Sequence, residues 1–221
     1  MNVIDLKPTF DFLSDLAKHN NKAWFEKNRP SYEMAKASFE AFVDQLIGEY
    51  GKTENLGGIT AKDCVMRIYR DVRFSKDKSP YKTNMSASIA PGGKKSASLG
   101  YHLHLQPQDN SLIAGGLYMP MPEQLAKFRA AIDRDATPLK AIINNKEFKS
   151  YFGSLDGEKV KTVPQGYSRE HPEIELLRFK QVVVVHRLPD EMVLSPKFGA
   201  HAIKTFNAMK PFLDYLNAIL K

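Results

Sequence analysis

The spacing of the hydrophobic residues changes twice along this chain of 221 residues, from a helical period to a period of two and back. Up to about residue 47, apolar residues recur every three or four positions, which is typical of amphipathic helices. Between residues 64 and 119, β-branched and aromatic residues alternate with polar ones, which indicates strands. The helical spacing returns at residue 122. This order predicts an α+β fold, with an antiparallel sheet of about four to six strands flanked by N-terminal, middle and C-terminal helices.

Caps, glycines and prolines indicate where the helices begin and end. Thr9 is the expected N-cap of the first helix. Pro30 cannot lie inside a regular helix without the loss of a hydrogen bond, so we expect a break near Arg29 and then a long helix that ends at Gly51. For the same reason we expect a kink or break at Pro211 in the last helix.

Five stretches have the composition and spacing of strands. They cover residues 64–74, 85–90, 99–106, 111–118 and 182–186. The pair Gly115-Gly116 lies inside the fourth stretch, and glycine weakens a plain strand. We therefore expect a bulge or a close approach of another part of the chain at these two glycines.

The composition neither divides the chain nor places it in a membrane. No low-complexity run or Pro/Gly/Ser-rich linker interrupts it, so we expect a single domain spanning residues 1–221. The longest aliphatic run, Val182–Val185, is far shorter than the roughly 20 residues that a membrane-spanning helix needs. The N-terminus lacks the pattern of a secretory signal, and the lone cysteine, Cys64, excludes an intramolecular disulfide. These observations favour a cytoplasmic protein without a membrane partner.

Positive charge is concentrated in one part of the chain. The formal net charge is +7. Residues 62–95, which we call the cationic segment, contain nine lysines and arginines against three aspartates, a net charge of +6. The other 187 residues together carry a net charge of only +1. We therefore expect any electrostatic function in the cationic segment, because evenly spread charge mostly affects solubility.

The cationic segment contains a candidate anion site. If residues 64–74 form a strand, Arg67, Tyr69 and Arg73 share one face, because side chains two positions apart lie on the same side. The planar guanidinium group matches carboxylate and phosphate, and the following loop adds lysines as point charges. The competing interpretation is a solvated sheet face with internal salt bridges. The predicted ligand-binding residues are Arg67, Tyr69, Arg73, Lys78, Tyr81 and Lys82.

The histidines and the cysteine give weaker signals. His102 and His104 lie two residues apart in a candidate strand, so both can face the same way, but a third ligand with metal-site spacing is missing and we predict no metal site. His104 could instead act as a general base. Cys64, at the apparent start of a strand, is expected to be structural. Because phosphate-binding-loop, serine-hydrolase and dinucleotide-binding motifs are missing, the sequence specifies neither a cofactor nor a reaction.

Four motifs follow one another along nearly the whole chain. They are NNKAWFEKNRPSY, RIYRDVRFSKDKSPYKT, GGLYMPMPEQLAKFR and HPEIELLRFK. In these motifs and in their order the chain resembles Domain of Unknown Function family 2461. The resemblance implies one intact domain, and it implies no activity, substrate or catalytic residue.

Three functional hypotheses follow from these patterns. The first is a site that binds a phosphorylated or carboxylated small ligand, with or without catalysis. The second is a nucleic-acid-binding module, whose affinity would be weak and salt-sensitive because it would depend on phosphate contacts without a recognised base-reading motif. The third is a scaffold that contacts an acidic protein partner.

Overall fold

The computed structural model describes residues 3–221, and within them it contains ten α-helices and four β-strands. The helices are α1 (Lys7–Lys18), α2 (Lys22–Lys27), α3 (Arg29–Tyr50), α4 (Ala61–Cys64), α5 (Pro122–Arg134), α6 (Thr137–Asn144), α7 (Lys146–Phe152), α8 (Ile174–Leu177), α9 (Asp190–Val193) and α10 (Phe198–Leu220). The strands are β1 (Met85–Ile89), β2 (Tyr101–Leu105), β3 (Ser111–Leu117) and β4 (Val182–Leu188). One turn of 3-10 helix covers Gly93–Lys95. The predicted α+β class is confirmed.

The strands form one antiparallel sheet in the order β1-β2-β3-β4. Four of the five candidate strands are therefore confirmed. β1 and β2 pair in register, with Met85 opposite Leu105 and Ile89 opposite Tyr101. Along β2, buried residues alternate with half-exposed ones, so the period of two seen in the sequence corresponds to the two faces of the sheet.

The chain divides into two compact units. Unit 1 comprises the residues up to 97 together with 101–113 and 187–204, and unit 2 comprises 98–100, 114–186 and 205–221. The core of unit 1 contains α1 and α3, in which Leu16 and Phe39 are fully buried, and Phe42 stacks on Phe198 with ring centroids 4.9 Å apart. In the core of unit 2, Phe148 lies 6.0 Å from Phe212. The single domain of residues 1–221 stays a prediction.

For the N-terminal helices, the predicted start of α1 is wrong and the predicted break between α2 and α3 is right. The assignment of Thr9 as an N-cap is wrong, because α1 begins at Lys7 and encloses Thr9. The Thr9 side chain is buried, and its hydroxyl donates to the carbonyl oxygen of Ala35 in α3 at 2.9 Å. The break before Pro30 is confirmed: Asn28 separates α2 from α3, and Pro30 lies in the first turn of α3, where its missing N–H costs nothing.

The two long helices, α3 and α10, differ in how well the sequence predicted where they end or break. Gly51 is the C-cap of α3, as predicted. Of the kink or break expected at Pro211, the break does not occur, because the helix runs from Phe198 to Leu220 with Pro211 inside it. The kink stays a prediction. Buried neighbours on both sides of the proline, Met209 and Phe212, hold the helix in the core of unit 2, so tertiary packing outweighs the lost hydrogen bond.

The first candidate strand, residues 64–74, is wrong. In its place the structure has two isolated bridges, Val65 with Ala87 and Tyr69 with Tyr81. The first chain advances by four residues between the bridges and the second by six, so a continuous ladder cannot form. Residues 65–70 therefore run irregularly beside residues 80–87, and residues 71–79 form the loop between them.

The close approach expected at Gly115-Gly116 is confirmed in unit 2. A Cβ atom on Gly115 would overlap the sulfur of Met209. Gly116 has a φ of +125°, and a Cβ there would overlap the carbonyl oxygen of Val182. Among the helices of the described chain, none combines the length and the apolar character needed to cross a bilayer.

Candidate anion-binding cavity

An open cavity of about 710 Å³ lies in unit 1 beside the first part of the cationic segment. Helix α3 forms one wall, and residues 62–69 and the 3-10 turn form the others. Among the described residues that line it, a single carboxylate, that of Glu40, faces five cations. The five cations are Lys36, Lys62, Arg67, Lys94 and Lys95. The balance of charge at the cavity is therefore strongly positive.

Three of these cations are free to bind a ligand. Arg67, Lys62 and Lys95 are exposed, and none of their side chains makes a hydrogen bond or ion pair with any residue between 3 and 221. The other two are engaged: Lys94 donates from Nζ to the carbonyl oxygens of Lys62 at 2.8 Å and Val65 at 3.0 Å, and Lys36 lies 3.7 Å from Glu40. The cavity thus holds three cations whose side chains form no ion pair within the described residues.

A buried glycine fixes the turn that carries two of the lysines. Gly93 has a φ of +64°, and a Cβ atom there would overlap the carbonyl oxygen of Asp63 in α4. The side chain of Asp63 is turned to its own helix terminus, where it accepts hydrogen bonds from the backbone N–H of Thr60 at 2.9 Å and from its hydroxyl at 3.0 Å. These hydrogen bonds lower the pKa of Asp63. Asp63, the acidic residue of α4, is therefore engaged in a capping box.

Two further cations of the predicted site, Arg73 and Lys78, bind groups within the loop of residues 71–79. Arg73 binds Asp71 with two hydrogen bonds of 3.0 and 2.7 Å, and its side chain is 76% exposed. Lys78 donates to the carbonyl oxygen of Val72 at 3.0 Å. Neither Arg73 nor Lys78 lines the cavity. Of the three side chains expected on one face, the cavity brings together Arg67 and Tyr69 but not Arg73.

Arg70 directly precedes this loop, and its side chain contacts three residues of it. Arg70 was not among the predicted site residues. Its guanidinium group pairs with Asp77 and donates to the carbonyl oxygen of Ser79 at 3.1 Å and to the hydroxyl of Ser75 at 3.3 Å. Asp77 also accepts hydrogen bonds from the hydroxyl and the backbone N–H of Ser79. The hydrogen bonds from Ser79, followed by that from Arg70, lower the pKa of Asp77 to about 2.

The two predicted tyrosines have different environments. Tyr81 is buried and stacks on Phe25 in α2, with ring centroids 4.0 Å apart. Tyr69 is 45% exposed, lines the cavity, and lies 5.4 Å from Tyr81. Phe25, Tyr81 and Tyr69 thus form an aromatic wall of the site. Tyr81 packs within the core, and Tyr69 is the member of the wall that is exposed to solvent. Beside this wall, Glu26 and then the Tyr69 hydroxyl raise the pKa of Arg29.

Lys82 and the two histidines of β2 lie outside the residues that line the cavity. His102 and His104 share one face of β2, as predicted, with ring centroids 6.3 Å apart. Within the described part of the chain, no group of three or more His, Cys, Asp or Glu side chains is placed to hold a metal ion. Cys64 ends α4 and does not begin a strand, and burial raises its pKa to about 11. It is a protonated thiol at neutral pH.

Comparison with known proteins places the chain in a family. Neither the curated proteins nor the solved structures contain a match to it. A family model described as "Conserved hypothetical protein (DUF2461)" matches residues 8–215. The matched range includes all four motifs and the whole cationic segment. The chain therefore belongs to the DUF2461 family of conserved hypothetical proteins.

Proposed function

We propose that this protein binds a phosphorylated or carboxylated small ligand in the cavity around Arg67. The proposal depends on one observation: Arg67, Lys62 and Lys95 meet at a concave surface without acidic partners among residues 3–221. Like charges brought together in a cleft repel one another, and an anion relieves that repulsion. Arginine adds geometric selectivity, because its guanidinium group donates two parallel hydrogen bonds to a phosphate or carboxylate group.

The size and walls of the cavity suit a ligand that is larger than an inorganic ion. A volume of about 710 Å³ lies within the range of about 300 to 1,000 Å³ that is usual for small-molecule sites. Val65, Met66 and Tyr69 give it apolar surface beside the cations. We therefore expect a ligand with an anionic group at one end and an apolar or aromatic body at the other.

The exposed tip of the loop supports nucleic-acid binding as the second candidate function. Phe74 is 96% exposed, and the guanidinium carbon of Arg73 lies 5.9 Å from the centre of its ring. Exposed aromatic rings next to cations bind single-stranded nucleic acid by stacking on the bases. Such binding would use the loop and would fall steeply with salt concentration, because it would depend on a few phosphate contacts.

Thermal unfolding in the presence of defined anions tests the first candidate. The probes are inorganic phosphate, pyrophosphate, glucose 6-phosphate, adenosine monophosphate and citrate. A ligand present at one hundred times its dissociation constant stabilises the folded state by about 2.7 kcal/mol. In a chain of this size, that stabilisation raises the melting temperature by roughly 5 to 10 °C.

Two arginine variants locate the effect. We expect Arg67→Ala to abolish the rise in melting temperature and Arg73→Ala to keep it, since both remove one exposed guanidinium group but only Arg67 lines the cavity. A wild-type protein that none of the probes stabilises, or an Arg67→Ala variant that responds as the wild type does, contradicts the proposal. Salt-sensitive binding of a fluorescent oligothymidine that is lost in Phe74→Ala would instead support the second candidate.

A further inference from the structure

A second cavity in unit 1, which we call the Trp24 cavity, lies between α1 and the junction of α2 with α3. None of the residues that line it lines the cavity around Arg67. Three of its lining residues, Trp24, Asn28 and Ser31, belong to the first of the four sequence motifs. Its volume of about 270 Å³ is just below the range of about 300 to 1,000 Å³ that is usual for drug-sized ligands, so it suits a small molecule.

Two aromatic rings line the Trp24 cavity. The ring centroids of Phe12 and Trp24 are 6.0 Å apart, and their planes are tilted by 33°. Phe12 is buried, and it is held in place by Phe25 and Tyr32, whose ring centroids lie 6.0 and 5.6 Å from its own. A cation is attracted to an aromatic ring within about 6 Å of the centroid, so one cationic group can lie within that range of both lining rings.

The charged side chains among the described residues that line the Trp24 cavity are two carboxylates. Asp11 and Asp15 lie four positions apart and therefore on one side of α1. Each pairs through one oxygen with a lysine of α1 that does not line the cavity: Asp11 with Lys7 at 2.5 Å, and Asp15 with Lys18 at 3.3 Å. Both pairs are exposed, and such pairs are weak. The other oxygen of each carboxylate accepts no hydrogen bond from residues 3–221 and is available to a ligand.

Asn28 adds a third acceptor at the Trp24 cavity. Its side-chain N–H donates to the carbonyl oxygen of Trp24 at 2.9 Å. Although Asn28 is the N-cap of α3, its side chain makes no capping hydrogen bond, so its Oδ1 is left to accept one. The cavity therefore combines aromatic rings with acceptor oxygens, and no cationic side chain belongs to the described residues that line it. This combination favours a positively charged ligand, although the protein as a whole has a net charge of +7.

We propose that the Trp24 cavity binds a small organic cation with a quaternary ammonium group. A primary ammonium group is strongly hydrated and needs hydrogen-bond acceptors around it, whereas a quaternary ammonium group has no N–H and is recognised mainly by aromatic faces. Phe12 and Trp24 supply the faces, and the carboxylates of Asp11 and Asp15 balance the charge of the ligand. The inference goes beyond anion binding and does not depend on it, because the two cavities have different walls and opposite charge.

Tryptophan fluorescence tests the proposal directly, because Trp24 is the only tryptophan of the chain. The full-length protein is titrated with choline chloride, with 3,3-dimethylbutanol as the neutral compound of the same shape, and with sodium chloride as the control for ionic strength. We expect a saturable change in emission with choline and at least fivefold weaker binding of 3,3-dimethylbutanol. No saturable change with choline, equal affinities for the two compounds, or the same change with sodium chloride would overturn the proposal.

Carboxylate variants separate charge recognition from apolar binding. In the variant with Asp11→Asn and Asp15→Asn together, we expect at least fivefold weaker binding of choline and unchanged binding of 3,3-dimethylbutanol. Glu33→Gln is the matched control, since this exposed carboxylate of α3 does not line the Trp24 cavity, and it should keep the wild-type affinity for choline. A double variant that binds choline as tightly as the wild type, or a Glu33→Gln variant that loses as much affinity, would overturn the proposal.

Two further variants keep the test decisive. If the double variant fails to fold, Asp15→Asn alone replaces it, and an unchanged affinity for choline in that variant would equally overturn the proposal. Arg67→Ala should bind choline as the wild type does, because Arg67 does not line the Trp24 cavity. A choline response that is lost in Arg67→Ala would place the cation elsewhere and would also overturn the proposal.

Discussion

The two halves of the cationic segment are both rich in positive charge, but they differ in what their cations bind. In the cavity half, which comprises residues 62–69 and the turn Gly93–Lys95, the side chains of Arg67 and Lys62 have no partner within residues 3–221. In the loop half, residues 70–79, Arg70 and Arg73 are bound to acidic and carbonyl groups of the same loop. The density of positive charge along a sequence therefore does not tell which cations are available. What matters is whether acceptors lie within reach of each side chain.

The reason for the difference is the local sequence around each arginine. Arg73 has Asp71 two residues away, and Arg70 pairs with Asp77, which is only seven positions further along the chain. Such exposed pairs contribute little to stability individually, but several of them together define one conformation of the loop. The carboxylate of the cavity wall, Glu40, belongs to α3 and is already 3.7 Å from Lys36. Three predictions test this contrast.

The largest expected effect is at the turn that carries the lysines of the cavity half. Gly93→Ala should lower the free energy of unfolding by about 3 kcal/mol, because the new Cβ overlaps the carbonyl oxygen of Asp63 and the residue must keep a positive φ. Gly92→Ala is the matched control: its φ is +88°, but the nearest atom to a new Cβ is 3.7 Å away. We expect it to lose only about 1 kcal/mol. Urea-induced unfolding measures both, and equal losses would show that the turn is not packed against α4 as described.

A smaller effect should separate the two arginines that best represent the halves. Arg70→Ala should lower the free energy of unfolding by about 1 to 2 kcal/mol, since it removes the hydrogen bonds to Asp77, Ser79 and Ser75. Arg67→Ala should change it by less than about 0.5 kcal/mol, because its side chain is exposed and has no partner in the described chain. If the two variants lost the same stability in urea, the contrast between the halves would be wrong.

The smallest effect concerns the pH range over which the Asp77 carboxylate stabilises the loop half. Because hydrogen bonds from Ser79 and Arg70 lower the pKa of Asp77 to about 2, its contribution to stability is fully present above the ordinary value of 3.8. It is then lost as the pH falls through about 2. The difference in urea midpoint between wild type and Asp77→Asn should therefore stay constant from pH 7 to about 5 and shrink between about pH 4 and 2. A carboxyl resonance of Asp77 that titrates near 3.8 would contradict the network.

Much of the fold could be predicted because its signals are local. The alternation along β2 predicted both its buried face and the shared side of His102 and His104. The break before Pro30 followed from the missing N–H of a single residue. Thr9 was misjudged because a threonine near a helix start suits a cap, whereas its true acceptor, the carbonyl of Ala35, lies 26 residues further along the chain.

The candidate site shows the same division between local and distant causes. Periodicity and composition predicted the α+β class and the concentration of charge in residues 62–95, since neither depends on distant contacts. They could not reveal that residues 64–74 fail to form a strand, because strand pairing depends on the register of the partner segment. The cations that meet at the cavity are brought together by packing between distant segments, which sequence patterns do not show. Lys36 of α3, Arg67 and Lys95 line one cavity because helix packing and the turn at Gly93 bring together side chains that are about 30 residues apart in the sequence.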